Sequence, residues 1–409
     1  MISVEEARSR ILQDLAPTPA EQVTLPQALG RILAEDLCSR RTQPPRDVSA
    51  MDGYALRADD AVEPGATLRV VAEIPAGASY NSALEPGDCV RIFTGAPLPP
   101  GADSILIQED ATRSDDGATV TFAEAATQGR WVRKAGLDFS EGDVLLKAGH
   151  RLTARDIGIA AAMNRPWLSV HRRPRVAILA TGDEIAMPGD PVGPNQIVSS
   201  NGPALAAAIT AAGGEPILLG VALDDRESLT RLAAGARGAD LLITTGGASV
   251  GDHDLVAKVL GEQGLSIDFW KIAMRPGKPL MFGQLGDTPM IGLPGNPVST
   301  LVCFLIFVRP ALLALAGDPQ AVQSPVTEPM MLGAALPEND RRQDYLRATL
   351  SRDSVANTGG NQAVYAFETQ DSSMLSRLTQ ANCLIVRAPH APALEAGETV
   401  EIIRFPSDF

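Results

Sequence analysis

Three loops rich in glycine and proline follow one another between residues 240 and 297, and they constrain the fold more than any other feature of the sequence. They read Thr-Thr-Gly-Gly-Ala-Ser-Val-Gly-Asp-His-Asp at 244–254, Met-Arg-Pro-Gly-Lys-Pro at 274–279 and Gly-Leu-Pro-Gly-Asn-Pro at 292–297. The first and third loops come directly after short apolar runs, which is the order of strand, glycine loop and helix start. Such a loop exposes backbone N–H groups to a phosphate. The loops therefore predict that the chain handles a phosphorylated small molecule.

The segment around these loops alternates between strand and helix. The predicted elements are a strand at 175–180, a helix at 203–212, a strand at 215–221, a helix at 224–236 with Asp224 as its cap, and a strand at 240–244. Alternation at this period is typical of a doubly wound parallel sheet, which binds ligands at the carboxyl ends of its strands. We expect the polar loops to meet at that edge of the sheet.

The rest of the chain has a different pattern of apolar and polar residues. Apolar positions at helical spacing predict a helix within residues 3–15, and a second helix is predicted at 154–163 with Thr153 as its cap. Short alternating runs between turn residues make 23–134 β-rich, and the chain is β-rich again after Pro325, as a small barrel or sandwich. The basic stretch 171–175 is interpreted as a linker.

These patterns predict an α/β multidomain protein in which a β-rich domain is inserted into a small N-terminal domain. The predicted domains are a mixed α/β domain of residues 1–22 plus 135–171, an inserted β-rich domain at 23–134, a doubly wound domain at 172–323, and a C-terminal β-barrel-like domain at 324–409.

Composition excludes several functional classes. The net charge of −14 argues against binding to nucleic acid or to an anionic membrane, because both need a basic surface. The four cysteines are far apart and lack CxxC spacing, which argues against a disulfide framework or a zinc site. The apolar run at 298–316 is nearly long enough to span a bilayer, but Arg309 and Pro310 interrupt it, so we interpret it as a buried helix. The charged N-terminus is unlike a signal peptide, and we expect a cytoplasmic protein.

Several side chains at the predicted strand ends are suited to ligand chemistry. Asp183 and Glu184 follow the first strand, where two carboxylates suit Mg²⁺ or form only a solvated turn. Ser199, Ser200 and Asn201 precede a predicted helix, where they bind a phosphate or a polar ring, or simply cap the helix. On these residues alone both alternatives stay open.

The three loops supply the other candidates of this domain. The first loop offers glycines for close backbone approach, a hydroxyl and two carboxylates, namely Gly246, Gly247, Ser249, Gly251, Asp252 and Asp254. Lys271, Arg275 and Lys278 form a stiff cationic hook around a Pro-Gly turn, which favours a tetrahedral oxyanion over a merely solvated charge cluster. The third loop is a rigid turn made of Pro294, Gly295, Asn296 and Pro297.

The inserted domain contains two polar, turn-rich strings, at 47–56 and 91–103. Asp52, Thr94 and Asp103 within them are candidates to meet a substrate or a partner. Composition by itself would leave them as ordinary turns.

The motifs together resemble the molybdopterin molybdenumtransferase family, which includes MoeA and the E domain of gephyrin. The matching strings are Ser-Ala-Met-Asp-Gly-Tyr-Ala, Arg-Ile-Phe-Thr-Gly-Ala-Pro, Thr-Gly-Asp-Glu, Thr-Gly-Gly-Ala-Ser-Val-Gly-Asp, Arg-Pro-Gly-Lys-Pro and Gly-Leu-Pro-Gly-Asn-Pro-Val-Ser, which span 47–299 in the family's order. The resemblance implies an elongated homodimer with four domains per chain and an active site between the subunits. It also implies insertion of molybdenum from molybdate into adenylylated molybdopterin, with release of AMP and with Mg²⁺.

The resemblance implies roles for residues as well. It implies that Asp52, Glu184 and Asp254 hold the metal or orient the pterin, and that Thr94, Lys271, Arg275 and Lys278 act with them. Arg133 and Asp138 match family positions near the cleft, and Arg347 and Ser373 match positions in the C-terminal domain. Arg275 stands where many relatives have lysine, which leaves the preference for molybdate or tungstate open.

Two other functions fit part of this evidence. A molybdopterin adenylyltransferase resembles residues 175–322, but it lacks the segments 23–134 and 325–409. A binding scaffold or carrier without turnover is the other alternative, although the motif carboxylates are intact. The adenylyltransferase is also a candidate partner that delivers the substrate.

Overall fold

The computed structural model describes residues 1–75, 77–246, 255–323, 325–351, 362–407 and 409. Its helices are α1 Val4–Gln13, α2 Leu25–Ala28, α3 Ala154–Ala162, α4 Asn201–Ala211, α5 Arg226–Ala233, α6 Leu255–Glu262, α7 Pro297–Cys303, α8 Arg309–Leu315 and α9 Leu375–Gln380. The strands in the same residues are β1 Ala20–Thr24, β2 Leu37–Cys38, β3 Val48–Ser49, β4 Gly53–Leu56, β5 Thr67–Ile74, β6 Asp88–Ile92, β7 Ser104–Ile107, β8 Ala111–Arg113, β9 Thr119–Phe122, β10 Val132–Arg133, β11 Val144–Leu146, β12 Trp167–His171, β13 Arg175–Thr181, β14 Ile185–Ala186, β15 Ile197–Val198, β16 Glu215–Ala222, β17 Leu241–Thr245, β18 Leu265–Trp270, β19 Met274–Arg275, β20 Met281–Leu285, β21 Thr288–Leu293, β22 Glu328–Leu332, β23 Gln343–Ser351, β24 Ala363–Ala366, β25 Cys383–Arg387 and β26 Thr399–Arg404.

A six-stranded sheet in the order β16-β13-β17-β21-β20-β18 forms the doubly wound domain. The first four strands run parallel, and β20 runs antiparallel to its two neighbours, β21 and the edge strand β18. Alternate residues of β13 enter different cores: Ile178 packs with α4 and α7 on one face, and Leu179 packs with α5 and α6 on the other. The predicted doubly wound sheet is therefore confirmed. The sequence did not predict that β20 and β18 extend it through antiparallel pairing.

The apolar run predicted at 298–316 is the central helix of this domain. α7, a π-helical segment Phe304–Val308 and α8 form one continuous helix, Pro297–Leu315, which is long and apolar enough to cross a membrane but is mostly buried in the protein. Pro310 has no N–H to donate into the preceding turn, and the helix widens into the π-helical segment just before it. The structure places this segment in the core, as predicted.

The cap of α5 lies one residue later than the sequence predicted. The carboxylate of Asp225 accepts a hydrogen bond from the Ser228 N–H at 2.7 Å, so the prediction that Asp224 is the cap is wrong. Asp224 instead donates its backbone N–H to Asp183 Oδ1 at 3.0 Å. This shift leaves the Asp224 carboxyl beside the loop that follows β13.

The N-terminal part of the chain is divided between two cores. β1 pairs with β12 and β2 pairs with β11, and their core joins residues of 23–37 to residues of 139–170. The isolated bridge from Gln43 to Phe139 belongs to the same unit. We therefore place the start of the insert after Gln43, whereas the sequence placed it at residue 23.

The first helix does not share that core. Val4, Ala7 and Ile11 of α1 are buried in the core of the doubly wound domain, although the sequence grouped residues 1–22 with 135–171. Ser3 caps the helix by accepting a hydrogen bond from the Glu6 N–H at 3.0 Å. The helix within 3–15 is thus confirmed, and its packing partner is the later domain.

Two further β units complete the chain. The insert contains a sheet in the order β7-β4-β6-β5-β9-β8, in which only β5 and β6 run parallel among the described strands. In the C-terminal domain, β23, β24, β22, β26 and β25 form a five-stranded barrel, which the pairing of β23 with β25 closes. The predicted β-barrel-like C-terminal domain is confirmed.

Candidate functional site

The predicted ligand loops meet at one edge of the doubly wound sheet. The strand register aligns Ala180 of β13 with Thr245 of β17, and Thr245 with Leu293 of β21. On the other side of β21, Met281 lies opposite Gly292 and Trp270 lies opposite Met281. The chain therefore leaves β13, β17, β18 and β21 and enters β20 at a single edge, as expected for ligand binding in this architecture.

A cavity of about 400 Å³ opens at this edge. Its described lining consists of Ala180, Thr181, Glu184, Ile185, Ile197, Val198, Ser199, Ser200, Asn201, Thr245, Gly246, Gly295, Asn296, Pro297 and Ser373. The predicted candidates in that set are Glu184, Ser199, Ser200, Asn201, Gly246, Gly295, Asn296, Pro297 and Ser373. Segments that are distant in sequence thus come together around one space.

Asn201 ties two loops of the cavity to each other. Its side-chain amide donates to Thr245 Oγ1 at 2.9 Å and to the Gly295 carbonyl at 2.7 Å. Ser200 occupies the N-cap position of α4, but its side chain makes no capping hydrogen bond. Because the hydroxyl does not cap the helix, the geometry favours the ligand-binding alternative for Ser200, whereas Asn201 shapes the wall.

Gly246 is required by the close approach of two loops. Its φ is +87°, and a Cβ atom added there would lie 2.4 Å from the Thr181 carbonyl oxygen. A methyl group therefore fits neither the backbone conformation nor the space. A Cβ on Gly295 would be 3.6 Å from the Gly246 Cα, so the first and third loops also pack backbone against backbone.

Thr181 was not among the predicted site residues. Its side chain lines the cavity and is buried, and its hydroxyl oxygen has no hydrogen-bond partner within the part of the chain that the structure describes. A buried hydroxyl without a partner is destabilising, so such an atom beside a cavity points to a ligand contact. The sequence signal was a hydroxyl residue ending an apolar strand just before Gly182.

Two helix N-termini face the same space. α4 begins at Asn201, and the 19-residue helix Pro297–Leu315 begins at the third loop. Thr300 Oγ1 donates to the Pro294 carbonyl at 2.6 Å, which fixes the predicted loop residue Pro294 against the first turn. The positive ends of the helix dipoles make this end of the cavity suited to a phosphate, although Pro297 has no N–H and Val298 already donates its N–H to the Ser372 carbonyl at 3.2 Å.

Glu184 supplies a carboxylate to the described cavity lining, and Asp183 and Asp224 lie near it outside that lining. Burial raises the pKa of the Asp224 carboxyl, and the neighbouring Asp183 and Glu184 carboxylates raise it further. Crowded carboxylates are the donor set that Mg²⁺ prefers. However, no three Asp, Glu, His or Cys side chains among the described residues are placed to hold a metal ion by themselves.

The C-terminal domain contributes Ser373 to the cavity. The Asn296 side-chain amide donates to Ser372 Oγ at 2.8 Å, and Asp371 Oδ1 accepts from the Ser373 N–H and hydroxyl at 2.8 and 2.6 Å. Beneath this loop Arg347 is buried, and its guanidinium donates to the Asp371 carbonyl at 2.8 Å and to Gln370 Oε1 at 3.2 Å. The geometry therefore gives Arg347 a structural role under the loop rather than a contact with the cavity.

The three cations of the predicted hook differ in their surroundings. Lys271 and Lys278 are held close together, because Ile272 N–H donates to the Lys278 carbonyl at 3.0 Å. Neither lysine has an ion pair among the described residues. Arg275, in contrast, forms ion pairs with Asp344 and Asp340 of the C-terminal domain.

The candidates of the insert form a separate cluster. Asp52 Oδ1 accepts from the Thr94 N–H at 2.7 Å and the Thr94 hydroxyl at 2.8 Å, and these two hydrogen bonds, the backbone one first, lower the pKa of Asp52. A Cβ on Gly53 would lie 2.1 Å from the Leu106 carbonyl oxygen, which explains the glycine after Asp52. Asp52 and Thr94 do not line the cavity described above.

The other candidates near the insert have simpler surroundings. Arg133 ends β10 and is exposed, and Asp138 is exposed in the return to the N-terminal unit, where its N–H donates to the Gln43 carbonyl. Asp103 accepts from the Ala58 N–H at 2.8 Å and from Gln128 at 3.1 Å, so it stabilises turns. The remaining candidates lie outside the described residues, namely Gly247, Ser249, Gly251, Asp252 and Asp254.

Comparison with known proteins gives the same family along the whole chain. Family profiles match the MoeA N-terminal region (domain I and II) at residues 2–164, a probable molybdopterin binding domain at 177–314 and the MoeA C-terminal region (domain IV) at 330–405. A molybdopterin molybdenumtransferase of Haemophilus influenzae is 35% identical over 99% of both chains, and one of Nostoc is 37% identical over 94% of this chain and 89% of the relative.

A solved structure agrees with the fold. The crystal structure of a molybdopterin biosynthesis MoeA protein from Pyrococcus horikoshii superimposes with a TM-score of 0.84 at 32% identity, and covers 100% of both chains. The two chains thus share their overall fold. On sequence and fold, this chain belongs to the MoeA family of molybdopterin molybdenumtransferases.

Proposed function

We propose that the chain transfers molybdenum from molybdate to adenylylated molybdopterin, with release of AMP, in molybdenum cofactor biosynthesis. The observation that carries the proposal is that a cavity suited to anions and two lysines without an ion pair among the described residues lie at the same end of one sheet, although the lysines are outside the cavity lining. The substrate brings a pyrophosphate and an oxyanion to one place, and both need such donors.

The proposed site divides the work between the cavity and the two lysines at the same end of the sheet. The N-termini of α4 and of the long helix, with Ser199, Ser200 and Thr181, would hold the phosphates or polar ring of the substrate. Lys271 and Lys278 would hold the tetrahedral oxyanion, which is the molybdenum source. Binding both groups side by side reduces the entropic part of the barrier to transfer.

Mg²⁺ is the cation that fits the acidic side. Glu184, with Asp183 and Asp224 next to it, would hold the ion together with substrate oxygens, because these three side chains do not form a closed metal site. When bound, Mg²⁺ neutralises charge that develops on the pyrophosphate as the adenylate is cleaved. The carboxylates and Thr181 would orient the substrate oxygens.

A homodimer would complete this site. Asp52 is half-buried, and its hydrogen bonds with Thr94 lower its pKa. The described lining of the cavity contains no residue from the insert that carries Asp52. A second copy of the chain can bring that carboxylate to the cavity, as the family resemblance implies. We also propose a cytoplasmic location, and a molybdopterin adenylyltransferase as the source of the substrate.

The test is AMP release by the purified protein with adenylylated molybdopterin and Mg²⁺, with molybdate, with tungstate and with neither. We expect release that depends on the oxyanion, is lost in Asp52→Ala and is kept in Asp59→Ala, which removes an exposed carboxylate of the same insert. Absence of release from folded protein that still binds the nucleotide would contradict turnover and leave a scaffold. Pyrophosphate release from ATP and molybdopterin would instead indicate the adenylyltransferase.

Mixing inactive variants tests the site between subunits. Asp52→Ala and Glu184→Gln are expected to be inactive alone, but a mixed dimer contains one site with both native carboxylates. Random re-association would restore about a quarter of the wild-type activity, because half the dimers are mixed and each has one intact site. Recovery of no activity from demonstrably mixed dimers would contradict a shared site.

A further inference from the structure

Arg275 is held by the C-terminal barrel. β19 pairs in parallel with the start of β23, which places Arg275 beside Asp344. Its Nε donates to Asp344 Oδ2 at 3.0 Å, its Nη2 also contacts Asp344, and its Nη1 lies 3.6 Å from Asp340 Oδ2. Each guanidinium nitrogen therefore faces a carboxylate oxygen of the barrel.

Asp344 is the buried member of this group. Its side chain is 3% exposed, whereas that of Arg275 is 48% exposed, and Asp344 Oδ1 has no hydrogen-bond partner in the described residues. Burial raises the pKa of Asp344, and the bonds from Arg275 oppose that rise. Among the arginines near Asp344, Arg275 forms the ion pair, and breaking that pair would leave the buried carboxylate without its hydrogen-bond donor.

Two carboxylates offset the charge of Arg275. Arg342 donates to Asp340 at 2.7 Å, and Arg387 lies opposite Asp344 on β25, so three arginines surround these two aspartates. An oxyanion that approached Arg275 would meet the carboxylates of Asp340 and Asp344 as well. Arg275 is therefore a poor oxyanion ligand, although it belongs to the cationic hook that the sequence predicted.

The backbone of residues 271–280 positions the two lysines of the hook as well as Arg275. Lys271 N–H donates to the Leu280 carbonyl at 3.0 Å, and Lys271 has a φ of +85°, which is rare for a residue with a side chain. Gly277 packs so tightly on the long helix that a Cβ there would lie 2.5 Å from Cys303 Sγ. The hook at 271–280 is thus one stiff unit, which is attached to the helix at Gly277 and to the barrel at Arg275.

We propose that Asp344 is a positioning residue for oxyanion binding: by holding Arg275 it fixes the hook so that Lys271 and Lys278, and not Arg275, bind the oxyanion. This inference rests on the proposed function for its substrate. It also assigns the barrel a role in the reaction and removes the arginine-for-lysine difference at Arg275 as a determinant of oxyanion preference.

Kinetics with varied molybdate test the inference in the full-length protein. Asp344→Asn and Arg275→Gln are each expected to raise the KM for molybdate about five- to tenfold with less than about twofold change in kcat, because they displace a binding group. The double variant should have a KM for molybdate no higher than that of the more impaired single variant, since the two residues act as a unit. Arg275→Lys should keep most of the affinity, and Glu338→Gln, at an exposed carboxylate six residues before Asp344, is the matched control with little change.

Three outcomes would overturn it. If Arg275→Gln raises the KM and Asp344→Asn does not, Arg275 binds the oxyanion directly. If Asp344→Asn lowers only the melting temperature, the pair is merely structural.

Hydrogen exchange gives a readout that does not depend on activity. The amides of 271–280 should exchange faster in Asp344→Asn than in the wild type, while those of 175–181 stay unchanged. Equal exchange of 271–280 in Asp344→Asn and the wild type would also refute the inference. Wild-type protein without turnover would refute the proposed function alone.

Discussion

A methyl group on Gly246 would lie 2.4 Å from the carbonyl oxygen of Thr181, so the ends of β17 and β13 touch through their backbones. This contact sets the width of the cavity between the first loop and the loop after β13. Because Gly246 also has a φ of +87°, two independent constraints exclude any side chain. Substitution of Gly246 therefore tests whether this wall of the cavity is needed.

Gly246→Ala is expected to lower the free energy of unfolding by about 2–4 kcal/mol and to abolish binding of the adenylylated pterin. Urea unfolding and a direct binding measurement check the two parts. Gly158→Ala is the control, since this helical glycine has open space around it and alanine should be neutral or stabilising there. Tight binding by Gly246→Ala would mean that the ligand does not use this wall.

Thr181→Val is expected to separate binding from stability. The variant keeps the shape of the side chain and removes a buried hydroxyl that has no partner among the described residues, so stability should be unchanged or higher by up to about 1 kcal/mol. If the hydroxyl contacts the substrate, affinity should fall about fivefold or more. Thermal unfolding and titration with ligand measure the two effects. Unchanged affinity would exclude the contact.

Much of the site was predictable, because its residues follow strands. The alternation of strand and helix after residue 175 indicates which loops share a sheet edge, and Gly246, Asn201 and Glu184 could be placed there from position alone. The doubly wound sheet, the buried helix at 297–315 and the C-terminal barrel follow from the same periodicities.

The remaining features depend on contacts between distant residues. Arg275 and Asp344 are 69 positions apart and meet only because β19 joins the barrel, so a cluster of three cations looked like a single binding site. The burial of Arg347 depends on the loop at 369–374, which has no local pattern. α1 has an ordinary amphipathic sequence that does not specify which core it joins.

Asn201→Ala is expected to uncouple the first and third loops. It removes hydrogen bonds to Thr245 and Gly295, which should cost about 1–3 kcal/mol of stability and at least about tenfold in affinity for the adenylylated pterin. Asn195→Ala, at an exposed turn of the same segment, is the control. Calorimetry measures the affinity of both variants for the adenylylated pterin. If Asn201→Ala binds as tightly as Asn195→Ala, the first and third loops keep their places without the hydrogen bonds of Asn201.

Arg347→Met is expected to destabilise the C-terminal domain rather than to remove a substrate contact. It leaves the Asp371 carbonyl without its buried donor, and Gln370 Oε1 keeps only the hydrogen bond from the backbone N–H of residue 347, which should lower the free energy of unfolding by about 3 kcal/mol. Arg341→Met changes an exposed arginine and should have little effect. Wild-type stability in Arg347→Met, together with lost activity, would restore the substrate-binding interpretation that the sequence suggested.

Thr94→Val is expected to shift the titration of Asp52 upward. The hydroxyl of Thr94 and, to a greater degree, its backbone N–H lower the pKa of Asp52, and valine removes only the hydroxyl. Part of the depression should therefore remain. NMR titration of the Asp52 carboxyl checks the shift, and Thr112→Val, at an exposed strand position of the same sheet, serves as the control.

The sign of the effect on stability and activity follows from that shift. A carboxyl whose pKa is lower in the folded than in the unfolded protein stabilises the fold above its unfolded pKa, and the stabilisation disappears as the pH falls through the folded pKa. With a smaller depression, Thr94→Val should lose this contribution at a higher pH than the wild type. If ionised Asp52 serves the reaction, the acid limb of the pH–rate profile should move upward by the same amount as the NMR pKa. An acid limb that stays in place while the NMR pKa moves would show that another group controls activity at low pH.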